Sequence, residues 1–276
     1  LFALLLRPVN LVVGRVILNS DGTTRGVGVA GRGSFGGAIS EGSLSAVADL
    51  NLDGTEEVIV GNAMYSPDGA PLWVDFTQAD GMISVANLDD DVEGEFIAVS
   101  NNTVRAMDTS GAVIWGPLTM PSANITSPAA IGDIDADGEP EIIVAGGSEL
   151  WAIERDGTVK WTAEVIDESG ATGASIFDFE GDGIAEVVYI DEQEMLVFDG
   201  ETGAVKFYST EHASATMYDY PTVADIDGDN QAEIIVCHDG FGSAISAYGD
   251  LDESWAPARP LWNQHAYSIT NVNDDL

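Results

Sequence analysis

Asp133-Ile-Asp-Ala-Asp-Gly-Glu-Pro-Glu141 runs directly into Ile142-Ile-Val144. Carboxylates stand at positions 1, 3, 5 and 9 of this nine-residue stretch, Asp133, Asp135, Asp137 and Glu141. They can converge on one cation if the chain turns sharply between them. Gly138 at position 6 permits that turn, and a backbone carbonyl near position 7 can add a ligand. Hard oxygen donors in this number suit Ca²⁺ rather than Zn²⁺ or Cu²⁺. An EF-hand would carry its last Glu at position 12, between two helices; here position 12 is Val144. A dockerin-type loop shares the early spacing but leads into a helix, whereas the Ile-Ile-Val run predicts a strand.

The pattern recurs four more times. Asp49, Asn51, Asp53 and Glu57 form a first loop, in which Asn51 keeps the oxygen donor at position 3. Asn87, Asp89, Asp91 and Glu95 form a second, the weakest, with Val92 at position 6 and glycine displaced to Gly94. Asp178, Glu180, Asp182 and Glu186 form the fourth, with Gly183 at the turn. Asp225, Asp227, Asp229 and Glu233 form the fifth, where Asn230 replaces glycine and tolerates left-handed angles. Between Asp49 and Asp225 the mean period is 44 residues. The alternative is acidic turns that hold no ion, but five such clusters in register are costly without a counter-ion.

Each loop has the same surroundings. A short strand such as Ala129-Ala-Ile-Gly132 precedes it, and a β-rich run follows: Val58-Ile-Val60, Phe96-Ile-Ala-Val99, Ile142-Ile-Val144, Val187-Val-Tyr189 or Ile234-Ile-Val236. A third strand, as in Glu149-Leu-Trp-Ala-Ile-Glu154, leads to a glycine turn at Gly69, Gly111, Gly157 or Gly203. A fourth strand is expected on each aromatic: Trp73, Trp115, Trp161, Phe207 and Trp255. Four antiparallel strands in about 45 residues is the arithmetic of a β-propeller blade. The fold class is therefore all-β, a propeller of four-stranded blades whose Trp residues pack between blades, with ligand stacking as the alternative.

The loops, the apolar runs after them and the unit length resemble FG-GAP/VCBS repeats, the blades of integrin-α-like propellers, over roughly residues 40 to 276. The resemblance implies an extracellular Ca²⁺-bound propeller used for recognition or adhesion. It further implies ions that brace one face while ligands meet the opposite face or a side.

The 276 residues are 45% hydrophobic, enough for a core, yet hold 47 Asp+Glu against 9 Lys+Arg, a formal net charge of −38. Such self-repulsion calls for cations or salt. It argues against a nucleic-acid partner, which needs clustered Lys/Arg, and against docking on anionic lipid. The lone Cys237 allows no intrachain disulfide and reads as a small buried hydrophobe. Leu1 to Leu6 is apolar but too short to span a bilayer, so no direct membrane insertion is expected. The start, which lacks Met, reads as a fragment or processed form of a larger multidomain protein.

The termini suggest how the array closes. Pro8–Gly14 aligns with Pro140–Gly146, and Val13–Gly22 with Val60–Gly69. Tyr267-Ser-Ile-Thr-Asn271-Val-Asn273-Asp-Asp275-Leu276 reads as a first strand followed by an incomplete, weak sixth loop with donors Asn271, Asn273 and Asp275. Six units follow: 7–40 with 267–276, 41–80, 81–122, 123–168, 169–214 and 215–266, forming a single domain over 1–276. The six-bladed ring then shares its last blade between the termini; the alternative is part of a seven-bladed propeller. One connector, Ala258–Tyr267, is richer than the others. Its Arg259, Trp262, Asn263, Gln264, His265 and Tyr267, with His212, Tyr218 and Tyr220 nearby, form a candidate ligand patch on the face opposite the loops. A second possibility is that Trp262 and His265 plug the channel or lock the closing blade.

No catalytic constellation emerges. His212, His238 and His265 occupy unlike positions, and the G-x-G-x-x-G at Gly31–Gly36 precedes no helix pattern. The expected function is a calcium-stabilised, non-catalytic extracellular recognition module with a protein or glycan ligand. The alternative is a polysaccharide-lyase-like enzyme on the same propeller; with Lys160 and Lys206 the only lysines, its base would have to come from the Arg259–His265–Tyr267 region. A halophilic structural module is a third reading.

Overall fold

Apolar runs of the Ile-Ile-Val kind have both faces to bury, so the sheets that contain them must be covered on both sides. The computed structural model describes residues 4–6, 10–33, 44–121, 126–167, 172–212, 219–238 and 244–260. All regular elements among them are β-strands, and the chain divides into two compact units, Leu1–Pro128 and Ala129–Leu276.

The first unit holds three antiparallel four-stranded sheets, each a simple meander. The first sheet is β1 (Leu4–Leu6), β2 (Asn10–Val13), β3 (Val16–Leu18) and β4 (Thr24–Val27). The second is β5 (Ala46–Ala48), β6 (Glu57–Val60), β7 (Ala63–Tyr65) and β8 (Pro71–Val74). The third is β9 (Met82–Ala86), β10 (Glu95–Ser100), β11 (Thr103–Met107) and β12 (Val113–Thr119). In the second unit the fourth sheet is β13 (Ala130–Gly132), β14 (Glu141–Gly146), β15 (Glu149–Ile153) and β16 (Val159–Glu164). The fifth is β17 (Ser175–Phe177), β18 (Glu186–Ile190), β19 (Met195–Phe198) and β20 (Val205–Ser209). The sixth has three strands, β21 (Thr222–Ala224), β22 (Glu233–Cys237) and β23 (Ile245–Tyr248).

Side-chain alternation along the second strand of each sheet builds the cores. On β6, Val58 and Val60 pack with Val12 and Ile17 of the first sheet, while Ile59 packs with Ile83 and Phe96 of the third. On β18, Val187 and Tyr189 join Ile143 and Leu150 of the fourth sheet. Val188 and Ile190 join Ile234 and Val236 of the sixth. Both faces are apolar, and that is why these runs show no polar alternation.

The turns between third and fourth strands share one geometry in the first four sheets, and that of the fifth is one residue longer, closed by Asp199 N–H donating to Ala204 O. In the fourth sheet Glu154 N–H donates to Thr158 O (2.8 Å) and Gly157 N–H to Glu154 O (2.8 Å). Gly157 takes φ +87°, the left-handed glycine of a bulged hairpin. The aromatic on the fourth strand of the preceding sheet lies on such a turn. Trp161 Nε1 donates to Gly200 O at 2.7 Å and its ring stacks on Phe198 at 6.2 Å. Trp73 does the same with Thr109 O (3.0 Å) and Phe96 (6.0 Å). A Cβ on Gly203 would come within 2.7 Å of the Trp161 indole, so the ring's seat requires that glycine.

Three sequence expectations need correction. The place beside β2 given to 267–271 is occupied by β1, with Leu4 opposite Val12 and Leu6 opposite Asn10; a strand only a few residues away closes at far lower entropic cost than one from the other terminus. Residues 267–276 lie outside the described set. Trp255 lies in no fourth strand: the sixth sheet ends at β23, and the indole packs on Phe179 at 4.5 Å. Cys237 is exposed, because on β22 the inward positions are Ile234 and Val236, which turns Cys237 to the other face.

Trp161→Ala is expected to lower stability by about 3–5 kcal/mol, the range for truncating a buried aromatic. Urea unfolding checks this, and a loss below about 1 kcal/mol would overturn the packing role given to the ring.

Candidate metal centre

All five acidic loops connect the first strand of a sheet to the second, and all five are braced the same way. The Glu at position 9 begins the second strand and accepts the backbone N–H of position 2 through Oε2. The pairs are Leu50–Glu57 (3.0 Å), Leu88–Glu95 (2.7 Å), Ile134–Glu141 (2.9 Å), Phe179–Glu186 (3.0 Å) and Ile226–Glu233 (2.9 Å). This bond ties the loop's entry to its exit. The Asp at position 5 in turn accepts the N–H of position 7, at 2.8 Å for Glu139–Asp137 and 3.0 Å for Ile184–Asp182. Asp53, Asp91 and Asp229 do the same.

In four loops the position-1 Asp also accepts the N–H of position 6: Gly54–Asp49 (2.9 Å), Gly138–Asp133 (3.0 Å), Gly183–Asp178 (2.8 Å) and Asn230–Asp225 (3.1 Å). These position-6 residues have φ of +88°, +91°, +98° and +73°, as the sequence spacing requires. The second loop lacks this bond. There Asn87 Nδ2 donates to Asp91 O at 2.9 Å, and Val92 at position 6 is not left-handed.

Within these frames the carboxylates converge. Asp89, Asp91 and Glu95; Asp133, Asp135 and Glu141; Asp178, Glu180 and Glu186; and Asp225, Asp227 and Asp229 each offer oxygens within 4.8 Å of one another. In the first loop Asn51 Nδ2 donates to Glu57 Oε1 at 3.3 Å. A divalent cation fits the third loop on one further observation: Glu141 is fully buried, and its Oε1 has no hydrogen-bond partner. An acceptor held away from water and unpaired beside Asp133 and Asp135 is costly unless a cation meets it.

Burial pushes the Glu141 carboxyl up from 4.5 to about 8, against the Ile134 N–H that favours its charge. Burial likewise raises Glu57, Glu95 and Glu186. For Glu186 it outweighs the Lys206 ammonium and the Phe179 N–H.

Sequence reasoning missed three features of these loops. Position 4 is left-handed in the same four loops, at Leu52 (φ +56°), Ala136 (+64°), Gly181 (+68°) and Gly228 (+83°); the glycines in the fourth and fifth loops were the available signal. Glu154, from the turn after β15, joins Asp137 and Glu141, and no local spacing announces it. Finally, Lys160 and Lys206 reach into the third and fourth loops. Lys160 Nζ bonds Asp135 and also Glu154 at 3.0 Å. Lys206 Nζ bonds Glu180 and Glu186, both at 2.7 Å. Burial opposes their charge, but these carboxylates outweigh it and hold both ammonium groups above the usual lysine range.

The candidate ligand patch is placed differently from expectation. Arg259 lies at the acidic-loop end, its carbonyl accepting Asp225 N–H at 3.3 Å, because the segment after β23 folds back against the fourth and fifth loops, with Ala256 N–H donating to Phe179 O (2.7 Å). His212 is 1% exposed, so it belongs to the interior rather than to a surface patch. Its ring lies 6.1 Å from that of His238. Trp262, Asn263, Gln264, His265, Tyr267, Asn271, Asn273 and Asp275, together with Tyr218, lie outside the described residues. The G-x-G-x-x-G start is put to internal use: Arg32 and Gly33 N–H groups donate to the Asp80 carboxylate at 2.7 and 3.1 Å.

The raised Glu141 fixes a pH dependence in metal-free protein. Between about pH 6.5 and 8 the folded state retains a proton that the unfolded chain, titrating near 4.5, has released. Stability therefore falls as pH rises through this window. With chelator present, Tm should decline from pH 6.5 to 8, and Glu141→Gln should flatten the slope. A Tm that rises over this range in the wild type would contradict the assignment.

A family model for the FG-GAP-like repeat matches residues 133–189 and 178–236. No curated protein matches the sequence. Solved structures similar to this one include the V. cholerae biofilm matrix protein Bap1, 16% identical with TM-score 0.73, over 96% of this chain and 70% of that one. The exotype rhamnogalacturonan lyase YesX is similar at 13% identity and TM-score 0.55, over 91% of this chain and 52% of that one. The Bacillus licheniformis rhamnogalacturonan lyase PL11 is similar at 14% identity and TM-score 0.53, over 89% and 52%. This chain thus spans about half the length of the lyases it matches. At such identities the likeness speaks for the fold alone, and the neighbours include both a matrix protein and enzymes. No helix among the described residues is long and apolar enough to cross a membrane. Residues 133–236 of this chain match the FG-GAP-like repeat, and they lie in an all-β fold of propeller type.

Proposed function

We propose that this chain is a calcium-stabilised recognition module that works outside the cell and binds a protein or glycan partner without catalysis. The observation that carries the calcium reading is the buried, unpaired Oε1 of Glu141 beside Asp133 and Asp135, in a loop frame repeated five times. Asp133, Asp135, Asp137 and Glu141 would hold the ion in the third loop, and the corresponding residues 49–57, 87–95, 178–186 and 225–233 would do so in the others. The bound ion supplies positive charge that lets the buried Glu ionise and ties the first strand of each sheet to the second. Five divalent ions would also offset ten of the 38 net negative charges.

The extracellular setting is supported by the matrix protein among the similar structures and by the acidic composition, which suits a calcium-rich or saline medium. The non-catalytic reading is supported by the two lysines. Each is ion-paired in an acidic loop and held above the usual lysine range, which suits neither to the work of a general base.

Thermal unfolding in excess Ca²⁺ and then in chelator tests the calcium part. An ion that binds only the folded state adds roughly 2.7 kcal/mol per site at one hundred times Kd, so Tm should rise by several degrees and fall again on chelation. Asp133→Asn should shrink the increment. An unchanged wild-type midpoint would overturn the reading. Incubation with rhamnogalacturonan, followed by measurement of unsaturated uronate ends, tests the other part: accumulation of product would replace the recognition module with a lyase.

A further inference from the structure

The fourth strands carry a β-bulge at one fixed place. Pairing shifts register between Ile17–Gly26 and Leu18–Thr24, Met64–Trp73 and Tyr65–Pro71, and Ala106–Trp115 and Met107–Val113. The same shift recurs between Ala152–Trp161 and Ile153–Val159, and between Val197–Phe207 and Phe198–Val205. The residues skipped by these pairs are Arg25, Leu72, Ile114, Lys160 and Lys206. A bulge re-aims a side chain. In the fourth and fifth sheets it aims a lysine into that sheet's own acidic loop.

The two lysines do different things there. Lys206 Nζ lies 2.7 Å from Glu180 and 2.7 Å from Oε1 of Glu186, positions 3 and 9 of the fourth loop. These are oxygens that a divalent ion would take, and Glu186 is 2% exposed. Lys160 bonds position 3 of the third loop, Asp135, but spends its second contact on Glu154. Glu141 Oε1, at position 9, is left without a partner. The buried carboxylate of the fourth loop thus meets a cation of the chain itself, while that of the third still lacks one. In the second and third sheets the bulge residues are the aliphatic Leu72 and Ile114, which neutralise nothing.

We propose that Lys206 is a built-in counter-ion of the fourth loop. Its ammonium holds the place of the metal on Glu180 and Glu186, so that a divalent cation enters this loop only by displacing it, and after the third loop has filled. The bulge residue on the fourth strand is then a specificity determinant: aliphatic where the loop depends on metal, lysine across positions 3 and 9 where it does not. This inference rests on the calcium reading above and refines which loops obey it.

Calorimetric titration with Ca²⁺ alone tests it on three proteins: wild type, Lys206→Met and Ile114→Lys. Lys206→Met should bind one more ion than wild type in the tight class, or bind its weakest ion at least tenfold more tightly. Its Ca²⁺-induced rise in Tm should also exceed that of wild type, because the metal-free variant leaves Oε1 of Glu186 without its ammonium. Ile114→Lys should lose one ion from the second loop and, if Lys206→Met does not fold without calcium, carries the test by itself. Wild-type binding with the same count and affinities in the folded variants would overturn the role of Lys206 while leaving the calcium reading intact. No heat and no Tm change in the wild type would overturn the calcium reading itself.

Discussion

One hydrogen bond, repeated five times, organises this molecule: the backbone N–H of loop position 2 donating to the carboxylate of the Glu at position 9. It joins the end of a first strand to the start of a second, across a nine-residue loop whose clustered acidic side chains repel one another. The Glu must be buried to make it, because in the second to fifth sheets position 9 opens a strand that is buried along its whole length. Burial in turn raises the carboxyl's pKa at Glu57, Glu95, Glu141 and Glu186, and at Glu141 it leaves the other oxygen without a partner. The acidity of the loops, the perturbed glutamates and the need for a cation therefore follow from one placement.

The chain meets that need in two chemical ways. In the fourth loop an ammonium from the fourth strand of the same sheet bridges positions 3 and 9. In the third the same kind of lysine is drawn aside by Glu154 and the buried oxygen stays unpaired. Loops that look interchangeable by spacing thus differ in electrostatics, and the difference comes from a residue more than twenty positions away. The aromatic beside that residue meets the next sheet, Trp161 within a buried cluster and the exposed Phe207 against the Tyr248 ring.

Much of the fold was legible in the sequence because its signals are local. The Ile-Ile-Val runs announced strands covered on both faces, and Gly69, Gly111, Gly157 and Gly203 marked the hairpins. The Trp residues marked inter-sheet packing at Trp73 and Trp161, but Trp255 broke the pattern. A periodic aromatic cannot report that its strand has lost its partner. Cys237 was misjudged for a related reason: an apolar neighbourhood in sequence alternates between two faces in a strand, and only packing tells which face is covered.

The sequence by itself determined the acidic loops, their period of about 44 residues and the turn glycines at position 6, because ligand spacing and left-handed backbone demands are written within nine residues. The tertiary structure alone decided that β1 pairs with β2, that Glu154 joins the third loop, that Leu52 and Ala136 take left-handed angles without being glycine, and that Lys160 and Lys206 enter their loops. These depend on strand register and on where a bulge points a side chain, which arise only when separate strands pair.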